Sequence, residues 1–561
     1  MPNRLSRREF VAAASAFASA PLLAGLPEFA SAENARDRTR TAESAPDPMD
    51  ADLLEVTIDK LHALYDARKY TVTQVTHWYL ARIARYNPVY RAMIHVDTNG
   101  ALAISAKQDA AAKAGGGKAS RPPLWGVPIV VKSNTAIKGL VTSAGWYGYV
   151  VPGLENIAPQ DAPVVAKLRA AGAVILGQTN MPDFAASDAN YSTAYGRTGN
   201  AYNVRYSPGG SSGGTVTAIT SNFAVLGTGT DTANSIRMPA ATSSVVGVLP
   251  TRGLVSITGI QPLDWLRDNT GPIARDVRDT AIALGVMAGE DPKDFRTKGS
   301  AAQAQAGPYT QYLNARALNG KRFGVPAFML AEPAPGGGGG GTPLQPETRA
   351  LFMKAIEGLK AAGATVVFDD TILSATFVAL TRAVNTRPYG AEGTETFLHD
   401  FGPPYYHSSL EYAQAVGAPM TNLGRGAPAG SPPPKPFATD PDAESNFFEP
   451  QRRAVAAYDQ TLDQFKLDGF VYPAIQMPPN DEIADLAAGG RSGGPHSNTG
   501  WVNVLGVPAI SVPGGFYDNG LPFSLEFSAK RWRDGDLLGW VYAYEQQTKA
   551  RKPPVLVEKK S

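Results

Sequence analysis

Residues 161–180 read DAPVVAKLRAAGAVILGQTN. Asp161 stands where a helix N-cap belongs, Pro163 falls in the first turn, and Gly172 ends the helix before the apolar run Ala173 to Leu176. This is a helix–Gly–strand unit, and ETRALFMKAIEGLKAAGATVVF (347–368) repeats it around Gly363. Between helices the strand-length runs are continuously apolar, as in LWGVPIVVKSN (124–134), rather than alternating. Such strands belong to a sheet covered by helices on both faces, so the fold class is α/β.

Two amphipathic helices lead the domain. Ile58, Leu61, Leu64 and Tyr65 fall at helical spacing. Thr71 and Gln74 form a capping box ahead of the stripe Val72, Val75, Tyr79 and Ile83. Residues 33–50 lack periodicity and read as a disordered leader, with the domain running over residues 51–553. Six consecutive glycines within 333–343 and the Pro-rich stretch 424–442 mark a variable insertion over about 333–450. Its aromatics, among them Phe397, Tyr405, Tyr406 and Tyr412, suggest a lid or a pocket wall.

The first 32 residues form a separate segment. Arg7 and Arg8 precede a weakly apolar run broken by Pro21, and Ala30-Ser31-Ala32 is an A-x-A cleavage site. This is the pattern of a twin-arginine export signal, which predicts a mature chain working in the periplasm or outside the cell. The run is shorter than the ~20 apolar residues of a spanning helix, so no stable membrane insertion is expected.

With 561 residues, a net charge of +2 and no basic stripe, the chain has no electrostatic footprint for nucleic acid. The absence of cysteine excludes disulfides and thiolate chemistry. Six histidines include no HExxH and no i, i+4 pair, and no phosphate-binding glycine loop is complete. Hydroxyl nucleophiles remain. Gly209-Gly210-Ser211-Ser212-Gly213 matches the GxSxG elbow of α/β-hydrolases, which would make Ser211 an esterase nucleophile. An elbow needs an apolar strand before it, however, and the polar, Pro-closed NAYNVRYSP precedes this one.

Three separated segments make a better constellation: GVPIVVKSN (126–134), SPGGSSGG (207–214) and GTDTANSIRMPA (229–240). Together they resemble the amidase signature family of Ser–Ser–Lys amide hydrolases. The likeness extends through GQTNMPDFA, GVLPTRGLVS, DNTGPIARDV, NTGWVNVLGVPAISVPGG and GLPFSLEF, nearly the whole mature chain. It implies a large mixed β-sheet with helices on both faces, and no cofactor. It places the nucleophile on Ser235, the bridging serine, with a cis peptide bond before it, on Ser211, and the base on Lys132. Ser212 is expected to support the hydrogen-bond network. The backbone of Thr232, Ala233, Asn234 and Ser235 would form the oxyanion hole, with Asp231 and Arg237 locking that loop as an ion pair.

Lysine serves as a base only when neutral, and Lys132 ends an apolar run that would desolvate it. Two positions depart from the family pattern. Ala233-Asn234 replaces the Gly-Gly many members carry, leaving Asn234 to supply a left-handed conformation. Ser133 replaces an aspartate, which should ease deprotonation of Lys132. The expected partner is a small-molecule amide. The oligomeric state is left open, with a homodimer as one option. A glutamine-dependent transamidation role fits less well, because export would separate the chain from tRNA. The Ala233-Asn234 change also admits a catalytically silent binding protein.

Overall fold

The computed structural model describes residues 47–115, 121–330, 342–420, 436–489 and 494–559. The expected signal peptide, the leader up to residue 46 and the hexaglycine run lie outside these residues. The chain divides into Met1–Asp52 and Leu53–Ser561, and the second unit carries every strand.

Thirteen strands are formed in chain order among the described residues: β1 (Met93–Val96), β2 (Pro128–Lys132), β3 (Val174–Thr179), β4 (Tyr191–Ser192), β5 (Gly196–Arg197), β6 (Leu226–Asp231) and β7 (Val246–Leu249). They continue with β8 (Asn269–Ala274), β9 (Arg322–Val325), β10 (Thr365–Phe368), β11 (Gly469–Pro473), β12 (Ala509–Phe516) and β13 (Pro522–Ala529). Eleven join one mixed sheet in the order β1-β3-β2-β6-β8-β7-β12-β13-β11-β9-β10, and β4 pairs with β5 alone. β2 runs parallel to both β3 and β6, whereas β8 is antiparallel to β6.

Successive strand residues point to opposite faces. Every residue of β2, β3, β6, β7, β8, β11 and β13 is buried, so both faces of the central sheet are covered. The edge strand β10 differs. Thr365 and Phe368 are exposed, so the second helix–Gly–strand unit forms as predicted but builds a margin rather than a core strand.

The two leading helices span Ile58–Asp66 and Val72–Tyr90, and the Thr71–Gln74 capping box is complete. Val72, Val75, Tyr79 and Ile83 are each at most 2% exposed. Burying one such side chain is worth about 1.5–3 kcal/mol as an upper bound. Helix Pro163–Ala170 begins with Pro163 in its first turn, but its N-cap is Ala162 and it has no side-chain cap. Asp161 instead accepts from the Lys138 N–H at 2.8 Å and pairs with Arg169 at 2.9 Å. Gly172 then turns the chain at φ +86°, where a Cβ would lie 2.8 Å from Trp125 Cα.

Candidate active site

β2 and β6 are parallel neighbours, so their carboxyl ends share one margin of the sheet, the usual place for a site in open α/β folds. Lys132 is the last residue of β2 and Asp231 the last of β6. Lys132 is fully buried. Its Nζ lies 2.7 Å from Ser211 Oγ, 3.0 Å from Ser212 Oγ, 2.8 Å from Thr230 Oγ1 and 3.4 Å from the Thr230 carbonyl. None of these partners is a carboxylate. Burial pushes its pKa down from 10.5 to about 7, against the opposing pull of Asp231 and Asp268. The position after it, Ser133, is buried and adds no charge.

Ser211 and Ser212 precede the helix Gly213–Thr220. The Gly210–Ser211 peptide bond is cis, as the family resemblance implied. Neighbouring chain crowds the glycines here. A Cβ on Gly210 would sit 2.6 Å from the Ser187 carbonyl, and Gly209, at φ +72°, would place one 2.6 Å from Met238 Sδ. No strand enters this turn from residues 198–208, so the elbow geometry is missing. Ser211 is also fully buried, whereas Ser235 is 5% exposed and lines a cleft of about 750 Å³.

The loop from Thr232 to Ser235 joins β6 to helix Arg237–Ala241 and forms one side of that cleft. Among the described residues, no backbone N–H from Thr232 to Ser235 has an acceptor. The loop is instead held through its oxygens. The Ser212 N–H donates to the Ser235 carbonyl at 3.2 Å, and Arg237 Nη2 donates to the Ala233 carbonyl at 2.5 Å. Arg237 is fully buried, bonded to Asp231 at 3.2 Å and to Glu526 of β13. Burial opposes its charge, but Asp231 and then Glu526 override this and hold its pKa above the usual arginine value. The expected ion pair is therefore present, with a second carboxylate added. Asn234 does not supply a left-handed conformation. Neither it nor Ala233 has a positive φ, so the loop accommodates both side chains without one.

Sequence reasoning missed Thr230, Asp268, Asn503 and Glu526. Thr228 and Thr230 alternate along LGTGTD, and both hydroxyls face β2, where Thr228 Oγ1 accepts from the Lys132 N–H at 3.2 Å. That period-two pattern was the available signal. Asp268 accepts from the Thr232 hydroxyl and from the Leu263 and Asp264 N–H groups, tying the wall 262–268 to the Thr232–Ser235 loop. Asn503 donates to the Asp231 carbonyl at 2.9 Å.

The pocket walls also differ from expectation. Of Trp265, Leu266 and Arg267, only Arg267 lines the cleft, while Leu266 and Trp265 pack with Tyr389 and Phe437. Helix Gly390–Phe401 offers Gly390, Ala391 and Thr394. Phe397 and Tyr412 are buried away from the cleft, Tyr412 against Tyr149 at 4.9 Å. His496 also lines the cleft.

An amine embedded among serine and threonine hydroxyls, at the carboxyl margin of a large mixed sheet, defines a hydrolase of the Ser–Ser–Lys class. The chain belongs to the amidase family, whose model, Amidase, matches residues 74–386. It is 32% identical over 509 residues to a glutamyl-tRNA(Gln) amidotransferase chain of Symbiobacterium thermophilum, spanning 89% of this chain and 98% of that one. The structure of peptide amidase from Stenotrophomonas maltophilia superposes with a TM-score of 0.74 at 30% identity, over 91% of this chain and 100% of that one. An amidase family protein from Bacillus anthracis gives 0.73 at 27% identity, over 91% and 94%. The protein is thus an amidase-family enzyme acting on C–N bonds of small amides. Among the described residues no helix is long and apolar enough to cross a membrane.

Proposed function

We propose that the protein is an exported hydrolase that cleaves carboxamide or anilide bonds through an acyl-Ser235 intermediate, releasing ammonia or an amine. The observation that carries this is Lys132, a fully buried amine 2.7 Å from Ser211 Oγ with no carboxylate contact. A neutral amine has two N–H bonds and one lone pair. Thr230 and Ser212 offer oxygens for the N–H bonds, which leaves the lone pair to receive the Ser211 proton.

In the proposed cycle Ser235 Oγ bonds to the substrate carbonyl carbon. Its proton passes to Ser211, whose own proton passes to Lys132. The oxyanion accepts hydrogen bonds from the open N–H groups of Thr232 to Ser235. One such donor typically lowers the barrier by about 2.7–4 kcal/mol. Collapse breaks the C–N bond, and the proton returns through Ser211 to the leaving nitrogen. Water then attacks the acyl ester along the same route, freeing a carboxylic acid and Ser235. Arg237 positions the loop through the Ala233 carbonyl. No step calls for a cofactor.

The twin-arginine segment supports export, and an exported enzyme would release its ammonia or amine to solvent rather than pass it to a tRNA-borne acyl group. An activated phosphonate followed by peptide mass spectrometry tests the assignment. The expected adduct is on Ser235; an adduct on Ser211 or Ser212 would favour the esterase elbow, and no adduct a silent scaffold.

A further inference from the structure

The cleft facing Ser235 carries charge that the hydrolytic steps leave unused. Arg267 and Arg387 both line it, Arg267 half-buried and Arg387 exposed. Among the described residues neither guanidinium has a hydrogen bond or an ion pair, and Arg267 Nε is buried without an acceptor. Beside Arg267 lies Arg252, 5% exposed, whose Nε and Nη1 are also without acceptors. Burial, and then the Arg296, Arg267 and Arg531 cations, pushes the Arg252 pKa well below the usual value.

The carboxylates nearby, Asp188, Asp264 and Asp268, form no ion pair with either arginine. Asp268 is occupied by three donors, Asp264 Oδ2 accepts from the Thr386 hydroxyl, and Asp188 is already engaged. Arg296 differs from Arg267, since it pairs with Asp294 at 2.7 Å. Asp264 Oδ1 is likewise buried without a partner, and neither guanidinium bonds to it. A buried donor without an acceptor costs about 1–3 kcal/mol. A planar guanidinium recovers most from a carboxylate, which it can grip with two parallel hydrogen bonds.

We propose that Arg267 and Arg387 form a carboxylate subsite, so that the preferred amides carry an anionic carboxylate remote from the scissile bond. Arg267 supplies the deep, desolvated contact and Arg387 meets the charge at the mouth. The proposal rests on Ser235 as the nucleophile of this cleft, and a binding measurement separates the two claims.

Three anilides isolate the charge: glutaric acid monoanilide has the carboxylate on the acyl side, 4-butyramidobenzoate has it on the amine side, and butyranilide is neutral. The wild-type enzyme is expected to favour one anionic anilide over butyranilide at least tenfold in kcat/KM, chiefly through KM, and the favoured one tells which side faces Arg267. The preference should shrink in 0.5 M salt, as screening weakens an exposed partner such as Arg387. Arg267→Gln should collapse the ratio, and Arg267→Lys should restore part of it. Equal rates on charged and neutral anilides, or an Arg267→Gln loss equal on both, overturns the subsite. Calorimetry of the same anilides on Ser235→Ala reads the subsite without turnover. Tighter binding of an anionic anilide supports it even if no anilide is cleaved, and equal binding rejects it even if all are.

Discussion

Lys132 is where burial and charge compete most directly, and burial wins. Its pKa near 7 means that the neutral amine appears as pH rises through about 7, so kcat/KM should climb through that value and then level. A controlling pKa near 10 would contradict the account. Lys132→Ala is expected to lower amide hydrolysis by ~10³-fold or more, the scale of a lost general base. The same shift has a stability consequence. Between about 7 and 10.5 the unfolded chain binds the lysine proton and the folded one does not, so stability rises with pH across that window by at most about 1.4 kcal/mol per unit. Denaturant midpoints of wild type and Lys132→Met, compared at pH 7 and 10, should show the wild type gaining stability relative to the variant. Lys132 and Ser211 were pointed to by the family resemblance of their strings, and the structure brings them within 2.7 Å. The backbone of Asn234 was not legible in the sequence, since whether it takes a left-handed conformation depends on how Arg237 and Ser212 hold the surrounding carbonyls.

At the level of helices and strands, the unit 161–180 is legible nearly whole. Gly172 turns the chain where the helix stops, and Ala in its place would meet the Trp125 backbone at a positive φ. Gly172→Ala is expected to cost about 1–3 kcal/mol of stability in denaturant unfolding, with little change in the pH profile. Asp161 departs from its expected role because a short acidic side chain suits either a cap or an ion pair, and Lys138 and Arg169 make the choice. The apolar run of β10 likewise could not announce its place at a margin, because sheet order is set by pairing partners distant in sequence.

Across the whole molecule, the site depends on residues that no local pattern joins. Arg237 and Glu526 are 289 positions apart, yet the second holds the first against the nucleophile loop. Asp231 still pairs with Arg237 when Glu526 is removed, so Glu526→Leu costs one charge-assisted hydrogen bond and is expected to destabilise by about 1.5–3 kcal/mol, measured by denaturant titration. The proposed export is tested separately, by replacing Arg7 and Arg8 with lysine and following the mature protein by fractionation. Retention of the precursor in the cytoplasm is expected, and unchanged release would overturn the twin-arginine assignment. The strand order adds one more consequence. β12 and β13 stand between β7 on one side and β11 on the other, although they are the last strands made. A ribosome that has finished β11 therefore holds two unjoined part-sheets, and β7 and β11 each keep a bare hydrogen-bonding edge until residues 509–529 emerge. A chain stopped before this closing pair is expected to aggregate through those bare edges.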